Sequence, residues 1–533
     1  MPVPACQSAP QIETPVPTTS AIEPKHVPSG ELRDWRPSAV LLVGLLFRAI
    51  YHITYKPWWC GDSGGYARPF VAWIHGYATE GARTPVYPFF LGFCQWLAGA
   101  APAELLSRPA AEVVKDLQSA LGLVAACLFY YTLRALRVNK NLALAAGLLF
   151  STTMRICDVE MAILTQSLSV FSLVLGIWLY VRTMVRIGSG ESVGKLPMLV
   201  GFAIAFAVLL RPDNLVFFAA IVLATAAHAI RSIFIPSRGE LGRRLLRTCF
   251  LIPIAAAPFI LAWMTVNYID TGRFRITNLM GWNGSETVYN MYGQVNPEDR
   301  VLGSIMTRYY VSTNQHGIHR EYIWQAMGEI NAHAWEMPFL EPAEYNQLKA
   351  RAQAANVTPQ ETVRVGTHLS GAFDEYLQRV MWKLVRKNPL GYLHNAADSF
   401  LRDSFDFTSS RYLPDEVTDP RAVEGGSVVK SRAGWEVIHR IGMIQAPFLT
   451  ASYLLTLITV LVCPVVLLGT GGDITTRDVA VSALALGTVA TFVAFCLLEA
   501  YHNHYGIPHI SVLLICTAYA GANFRLVQRR FGH

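Results

Sequence analysis

Ten apolar runs dominate this chain, near residues 38 to 55, 114 to 135, 141 to 156, 161 to 181, 196 to 211, 213 to 233, 248 to 268, 443 to 469, 477 to 498 and 505 to 524. Most approach the ~20 residues a helix needs to cross a hydrocarbon core. A run of that kind becomes a helix because, in lipid, every backbone polar group must be bonded within its own segment. With 52% apolar and only 15% charged residues in 533, the chain is too apolar for a soluble enzyme of its size. The expected fold is mostly α: a polytopic membrane protein of about ten transmembrane helices. It would carry amphipathic helices in its first extracytoplasmic loop and one mainly helical extracytoplasmic domain.

The same runs divide the chain. Residues 1–37 read as a disordered cytoplasmic tail rich in Pro, Ser and Thr, and 38–268 as an N-terminal transmembrane catalytic module whose first loop is 56–113. Residues 269–442 read as an extracytoplasmic soluble domain and 443–533 as a C-terminal transmembrane module. A net charge of +7 would point to nucleic acid in a soluble chain; in a membrane protein it is read loop by loop. Arg134, Arg137 and Lys140, then Arg182 and Arg186, then Arg231 to Arg247, then Arg525, Arg529 and Arg530 mark alternate span ends. Basic residues collect on the cytoplasmic side, so both termini are expected there, in a multi-pass inner-membrane protein. The nine cysteines have the spacings of neither a disulfide framework nor a zinc site.

The opposite span ends gather charge of both signs: Asp62, Asp158, Glu160, Asp213, Asp270 and Glu499 with Arg83, Arg155, Arg211, Arg273, His502 and His504. Ionisable groups at membrane depth are costly and mark sites or pathways, whereas at a helix end each one alone reads as an anchor or cap. Within the first loop, CGDSGGY (Cys60 to Tyr66) contains the GDSGG of trypsin-like proteases. That fold is all-β and places His and Asp before the Ser, while here only a polar tail and one apolar span precede Ser63, so the match is accidental. An intramembrane serine protease built on Ser63 with His504 remains an alternative. A lipid or ion transporter is another, though no internal repeat is visible and Arg48, the exception within the first span, is explained by snorkelling.

After the first span, Asp62, Ser63 and Tyr66 are followed by Arg83, Pro85, Tyr87 and Pro88, amid aromatic residues suited to the membrane interface. The arrangement resembles the first loop of GT-C glycosyltransferases, membrane enzymes that take sugars from polyprenyl-phosphate carriers, of the protein O-mannosyltransferase and aminoarabinose transferase type. LLRPDNL (Leu209 to Leu215), WMTVNYIDTGRFRIT (Trp263 to Thr277), RKNPLGYLHNAADSFLRDSF and HYGIPHISVLL are similar to later elements of that superfamily, in the same order. Asp158 and Glu160 resemble the paired acids of its oligosaccharyltransferase branch. Two departures stand out: His504 replaces the usual arginine of the closing element, and Gln166 replaces an acid common in relatives.

The resemblance implies inverting transfer of a hexosyl or pentosyl group to a hydroxyl of an envelope glycan, lipid or protein. A lipid-linked donor can be attacked only near the interface, where the charged rim lies. The departing lipid phosphate needs cations, and Arg83, Arg211, Arg273 or protonated His504 would supply them, Arg211 best because Pro212 and Asp213 fix it at a helix break. Tyr66, Tyr87, His502 and Tyr505 complete the expected donor site. Asp62 is the expected general base, although Asp before a helix is also an ordinary cap. Asp62, Asp158 and Glu160 are candidate ligands for Mg2+ or Mn2+, but carboxylates alone do not identify a metal. In the soluble region Thr358-Pro-Gln-Glu361 reads as a capping box, followed by apolar residues from Leu369 to Leu384 at helical spacing until Asn388-Pro389. Asn283-Gly-Ser285 matches an N-glycosylation pattern.

Overall fold

The computed structural model describes residues 34–59, 63–75, 81, 83–101, 106–314, 326, 329–330, 332–333, 336–354, 359–403, 428–468, 474–498 and 503–531. Asp62, Glu499, His502 and Thr358 lie outside the described residues, as do the side chains of His504 and Tyr505. In chain order the helices are α1 Arg36–Thr54, α2 Ser63–Ile74, α3 Val86–Leu97, α4 Arg108–Ala135, α5 Lys140–Ser151, α6 Met154–Met161, α7 Thr165–Gly188, α8 Leu196–Leu210 and α9 Asn214–Ile233. They continue as α10 Gly239–Thr271, α11 Met280–Thr287, α12 Arg300–Asn314, α13 Pro342–Gln353, α14 Pro359–Lys387, α15 Pro389–Asp403, α16 Arg432–Leu468, α17 Thr476–Leu498 and α18 Ile510–Phe531. A 3-10 segment, Asn503–His509, leads into α18. Among the described residues the only extended pairings are two isolated bridges, Tyr55 with Val429 and Trp58 with Ala162.

The fold is that of a mostly α polytopic membrane protein. Among the described residues eight helical stretches are long and apolar enough to cross a membrane: α1, α4, α5 with α6, α7, α9, α10, α16 and α17. α8, with 15 residues, is a shorter apolar helix. α7 is the central rod, packed by α4, α8 and α17, while α10 packs on α8 and α9, and α9 on α17. α1 illustrates how burial is encoded: Val40, Gly44, Phe47, Arg48 and Tyr51 form its buried face, and Leu41, Leu42, Leu45 and Leu46 are exposed on the other. The spacing is helical, so one face meets protein and the other meets lipid.

Arg48 departs from expectation. It does not snorkel: only 2% exposed, it donates from Nη2 to Glu160 Oε1 at 2.5 Å and from Nη1 to the Ser151 carbonyl at 2.9 Å. Gly122 of α4 makes room for the pair, since a Cβ there would overlap Glu160 Oε1. The run expected as one span over 141 to 156 is broken instead. α5 ends at Ser151, and α6 restarts at Met154 after Thr152 and Thr153, whose hydroxyls bond back to the carbonyls of Leu148 and Leu149. Such back-bonding bends helices.

α14 buries Phe373, Tyr376, Leu377, Val380, Met381 and Leu384 against residues of α11 and α12, with Leu369 packed at the edge. It stops before Pro389, which opens α15, as its missing N–H allows only at a helix start. α16 runs through residue 442, so the domain edge drawn there from apolar pattern falls within a helix. The Asn283 pattern is inside α11, where the Ser285 side chain is buried and donates to the Trp282 carbonyl.

Candidate active site at one end of the bundle

The first loop is stitched to several other parts of the bundle. The Trp58 N–H donates to the Met161 carbonyl at 3.1 Å, and the Ile163 N–H returns to the Trp58 carbonyl at 3.0 Å. Ser63, fully buried, donates its hydroxyl to the Ile163 carbonyl at 2.8 Å. Trp58 and Ser63, which bracket Asp62 in sequence, are thus both bonded to the α6–α7 junction. A hydroxyl held that way is a structural anchor, which argues against Ser63 as a nucleophile.

Residues 81–88 form the second attachment. Gly81 has φ +62°, and a Cβ there would fall 2.7 Å from Asn278 Nδ2, so both conformation and space require glycine. Its carbonyl accepts from the Asn278 N–H at 3.0 Å, just beyond α10. Three residues on, the Thr84 hydroxyl donates to the Leu210 carbonyl at 3.0 Å at the end of α8. Arg83 precedes Thr84 and Arg211 follows Leu210, so this one bond sets the two arginine-bearing turns side by side. Arg83 donates to the Tyr66 hydroxyl at 3.2 Å, with its guanidinium carbon 4.4 Å from the centre of that ring. Tyr66 meets Tyr87 edge to face at 5.2 Å.

Tyr87 is fully buried and donates to Gln118 Oε1 at 3.1 Å; Gln118 Nε2 then donates to the carbonyls of Glu160 and Ala162 at 2.8 and 2.9 Å. The chain of bonds runs from α3 through α4 to the end of α6. Asp158 accepts from the Tyr51 hydroxyl at 3.0 Å through Oδ1, and its Oδ2 has no hydrogen-bond partner. Glu160 is bonded to Arg48 through Oε1, while Asp62, the third of the expected metal ligands, lies outside the described residues. Among the described residues no group of three or more His, Cys, Asp or Glu side chains could hold a metal ion.

Arg211, 7% exposed, is the last residue of the α8 end and pairs through Nε with Asp213 Oδ1 at 3.0 Å. Asn214 stabilises the break by donating to the Ala207 carbonyl at 2.9 Å. Arg273 is placed differently from the other cations: α10 ends at Gly272 with φ +71°, which turns Arg273 toward α14, where it pairs with Glu375 at 3.0 Å. The Asn503–His509 segment packs on α6 and α7, and the His509 ring is buried against Phe217 and Phe492.

Several residues here were not singled out in sequence. Gln118 is an amide inside an apolar run, and an amide at that depth is itself a signal of an interhelical bond. Thr84 lay within the RTPVYP motif, but its partner is 126 positions away. Tyr51 and His509 gave no local signal.

The family model of dolichyl-phosphate-mannose-protein mannosyltransferases matches residues 92–270, from α3 to the end of α10. That stretch is of GT-C glycosyltransferase type. The GT-C stretch contains Asp158, Glu160 and Arg211, and it begins just after Tyr87. No curated protein matches the chain significantly. Among solved structures, the oligosaccharyltransferase AglB from Archaeoglobus fulgidus, in complex with an inhibitory peptide and a dolichol-phosphate, superimposes with a TM-score of 0.46 at 12% identity, over 94% of this chain and 52% of its own. The same organism's enzyme in its apo form gives 0.44 at 12% identity over 93% and 52%. The chain spans about half the length of these structures.

Proposed function

We propose that the protein transfers a sugar from a polyprenyl-phosphate donor to an acceptor hydroxyl of a cell-envelope glycan, lipid or protein. The site would lie on the extracytoplasmic side of the cell membrane. The observation that carries this reading is the Thr84–Leu210 hydrogen bond, which brings the Arg83 turn against the Arg211 turn of the stretch that matches the family model. Two guanidiniums at one membrane rim suit a phosphate that must stay at the interface because its tail is in lipid.

In this reaction the acceptor oxygen bonds to the anomeric carbon from one face while the bond from that carbon to the phosphate oxygen breaks on the other, so configuration inverts. The electron pair leaves with the lipid phosphate, whose charge Arg83 and Arg211 receive. Each charge-assisted hydrogen bond contributes about 1.5 to 3 kcal/mol. The acceptor proton passes to the Asp62 carboxylate, a step worth roughly 10² to 10⁴ in rate. Tyr66 and Tyr87 support Arg83, and His502, His504 and Tyr505 are the remaining donor contacts. Arg273, paired with Glu375, is left to hold the outer helices.

Mass spectrometry of lipids retained by the purified protein tests the donor class, and recovery of no polyprenyl-phosphate sugar, with none turned over when supplied, overturns it. For the base, Asp62→Asn should lower turnover by roughly 10² or more. Unchanged turnover removes that assignment alone.

A further inference from the structure

The break between α5 and α6 leaves backbone groups to be satisfied inside the protein, where Ser151, Thr153 and Met154 are buried and a missing partner is costly. In a continuous helix the Met154 N–H would bond to the Phe150 carbonyl and the Thr152 carbonyl to the Ile156 N–H. Here Ile156 bonds to Thr153 instead, at 3.1 Å. Both displaced groups meet one side chain, Gln445 of α16. Its Oε1 accepts from Met154 N–H at 3.0 Å, and its Nε2 donates to the Thr152 carbonyl at 2.7 Å. Gly442, one turn earlier on α16, leaves space for the Met154 side chain, which a Cβ would strike. α1 holds the neighbouring carbonyls, Arg48 that of Ser151 and Tyr51 that of Met154.

We propose that Gln445 is a positioning residue: its single amide takes up two of the backbone groups left open at the break and so fixes the direction of α6, with Asp158 and Glu160, relative to the rest of the site. Gln445 lies outside the GT-C stretch, 291 positions from Met154, so a residue of the C-terminal spans orients acids carried by the N-terminal ones. An amide suits this role because it presents one donor and one acceptor in a fixed plane. Leucine matches its shape and offers neither.

The catalytic part rests on the proposed transferase reading; the structural part does not. The test uses the full chain in lipid nanodiscs, with hydrogen exchange resolved to the peptides covering 148–161, and steady-state kinetics with a polyprenyl-phosphate sugar. For Gln445→Leu we expect exchange in those peptides to rise at least tenfold while α7 and α9 are unchanged. The kcat per folded molecule should fall at least tenfold, with the donor KM within twofold. Gln445→Glu supplies a rescue, since a protonated carboxyl offers one O–H and one carbonyl. Its protection should return to wild type as pH is lowered, and be lost as pH rises. If Gln445→Leu does not fold, the pH series within Gln445→Glu decides alone. Unchanged exchange at 148–161, or a rise spread equally over all spans, overturns the proposal. A wild-type protein without transferase turnover overturns the functional reading and leaves the exchange result to judge Gln445.

Discussion

Arg48 and Glu160 are a desolvated pair in which neither partner can be removed alone without stranding the other's charge. Losing one partner of such a pair costs about 3 to 5 kcal/mol, whereas replacing both with well-packed apolar groups is often neutral or favourable. Arg48→Met is therefore expected to lower thermal stability in detergent strongly, and Arg48→Met with Glu160→Leu to restore most of it. Differential scanning of the two variants beside wild type checks both signs. At Gly122 the expectation is purely steric. Gly122→Ala drives a methyl into Glu160 Oε1, so it should destabilise by about 1 to 3 kcal/mol even though alanine is the better helix former. A neutral or raised melting temperature would contradict that. The pairing was illegible in sequence: a lone arginine in a span looks the same whether its charge reaches water or a carboxylate from a distant helix.

Among elements, α11 and α14 are joined through one buried carboxylate. Asp374 of α14 accepts from the N–H groups of Gly281 and Trp282 in the first turn of α11, at 2.7 and 3.3 Å, and from Gln378 at 2.9 Å. Burial pushes its carboxyl up to about 6, outweighing those hydrogen bonds and nearby Arg275, which all pull it down. A carboxyl raised on folding stabilises the fold in its protonated form, so its contribution is fully present below about pH 4 and is lost as pH rises through about 6. The full effect is roughly 3 kcal/mol for a shift of about two units. Amide exchange at Gly281 and Trp282, corrected for its intrinsic pH dependence, should speed up roughly a hundredfold across that window. Asp374→Asn should flatten the profile. α14 itself was legible from Leu369 to Leu384 because apolar spacing and a following proline are local signals. The α5–α6 break was not, since Thr152-Thr153 carries neither glycine nor proline and the side chains that satisfy its opened backbone lie in α1 and α16.

For the whole molecule, the site depends on turns from separate helices meeting at one rim, and the arginines should separate by function accordingly. Arg83→Gln and Arg211→Gln are each expected to reduce kcat/KM for the lipid donor about 10- to 100-fold, the cost of one charge-assisted bond to phosphate. Arg273→Gln, whose partner is Glu375, should leave donor kinetics within about threefold and reduce thermal stability instead. Initial rates against donor concentration, with melting curves for the same preparations, distinguish the two patterns. The apolar runs made most of the span architecture readable, because a bilayer forces the same solution on every such run. They also placed Arg83 and Arg211 at one end. What they could not supply was which arginine-bearing turns meet and which arginine pairs with another helix, since that is decided by contacts such as Thr84 with Leu210 and Arg273 with Glu375.

The Arg48–Glu160 bond also imposes an order on biosynthesis. Arg48 enters the insertion machinery with the first span, and 112 positions separate it from its carboxylate. At translation speeds of 5 to 20 residues per second, roughly 6 to 22 s pass before that acid has been made. During that interval α1 carries a cation without its carboxylate, and it can take its final seat only once a later part of the same chain arrives.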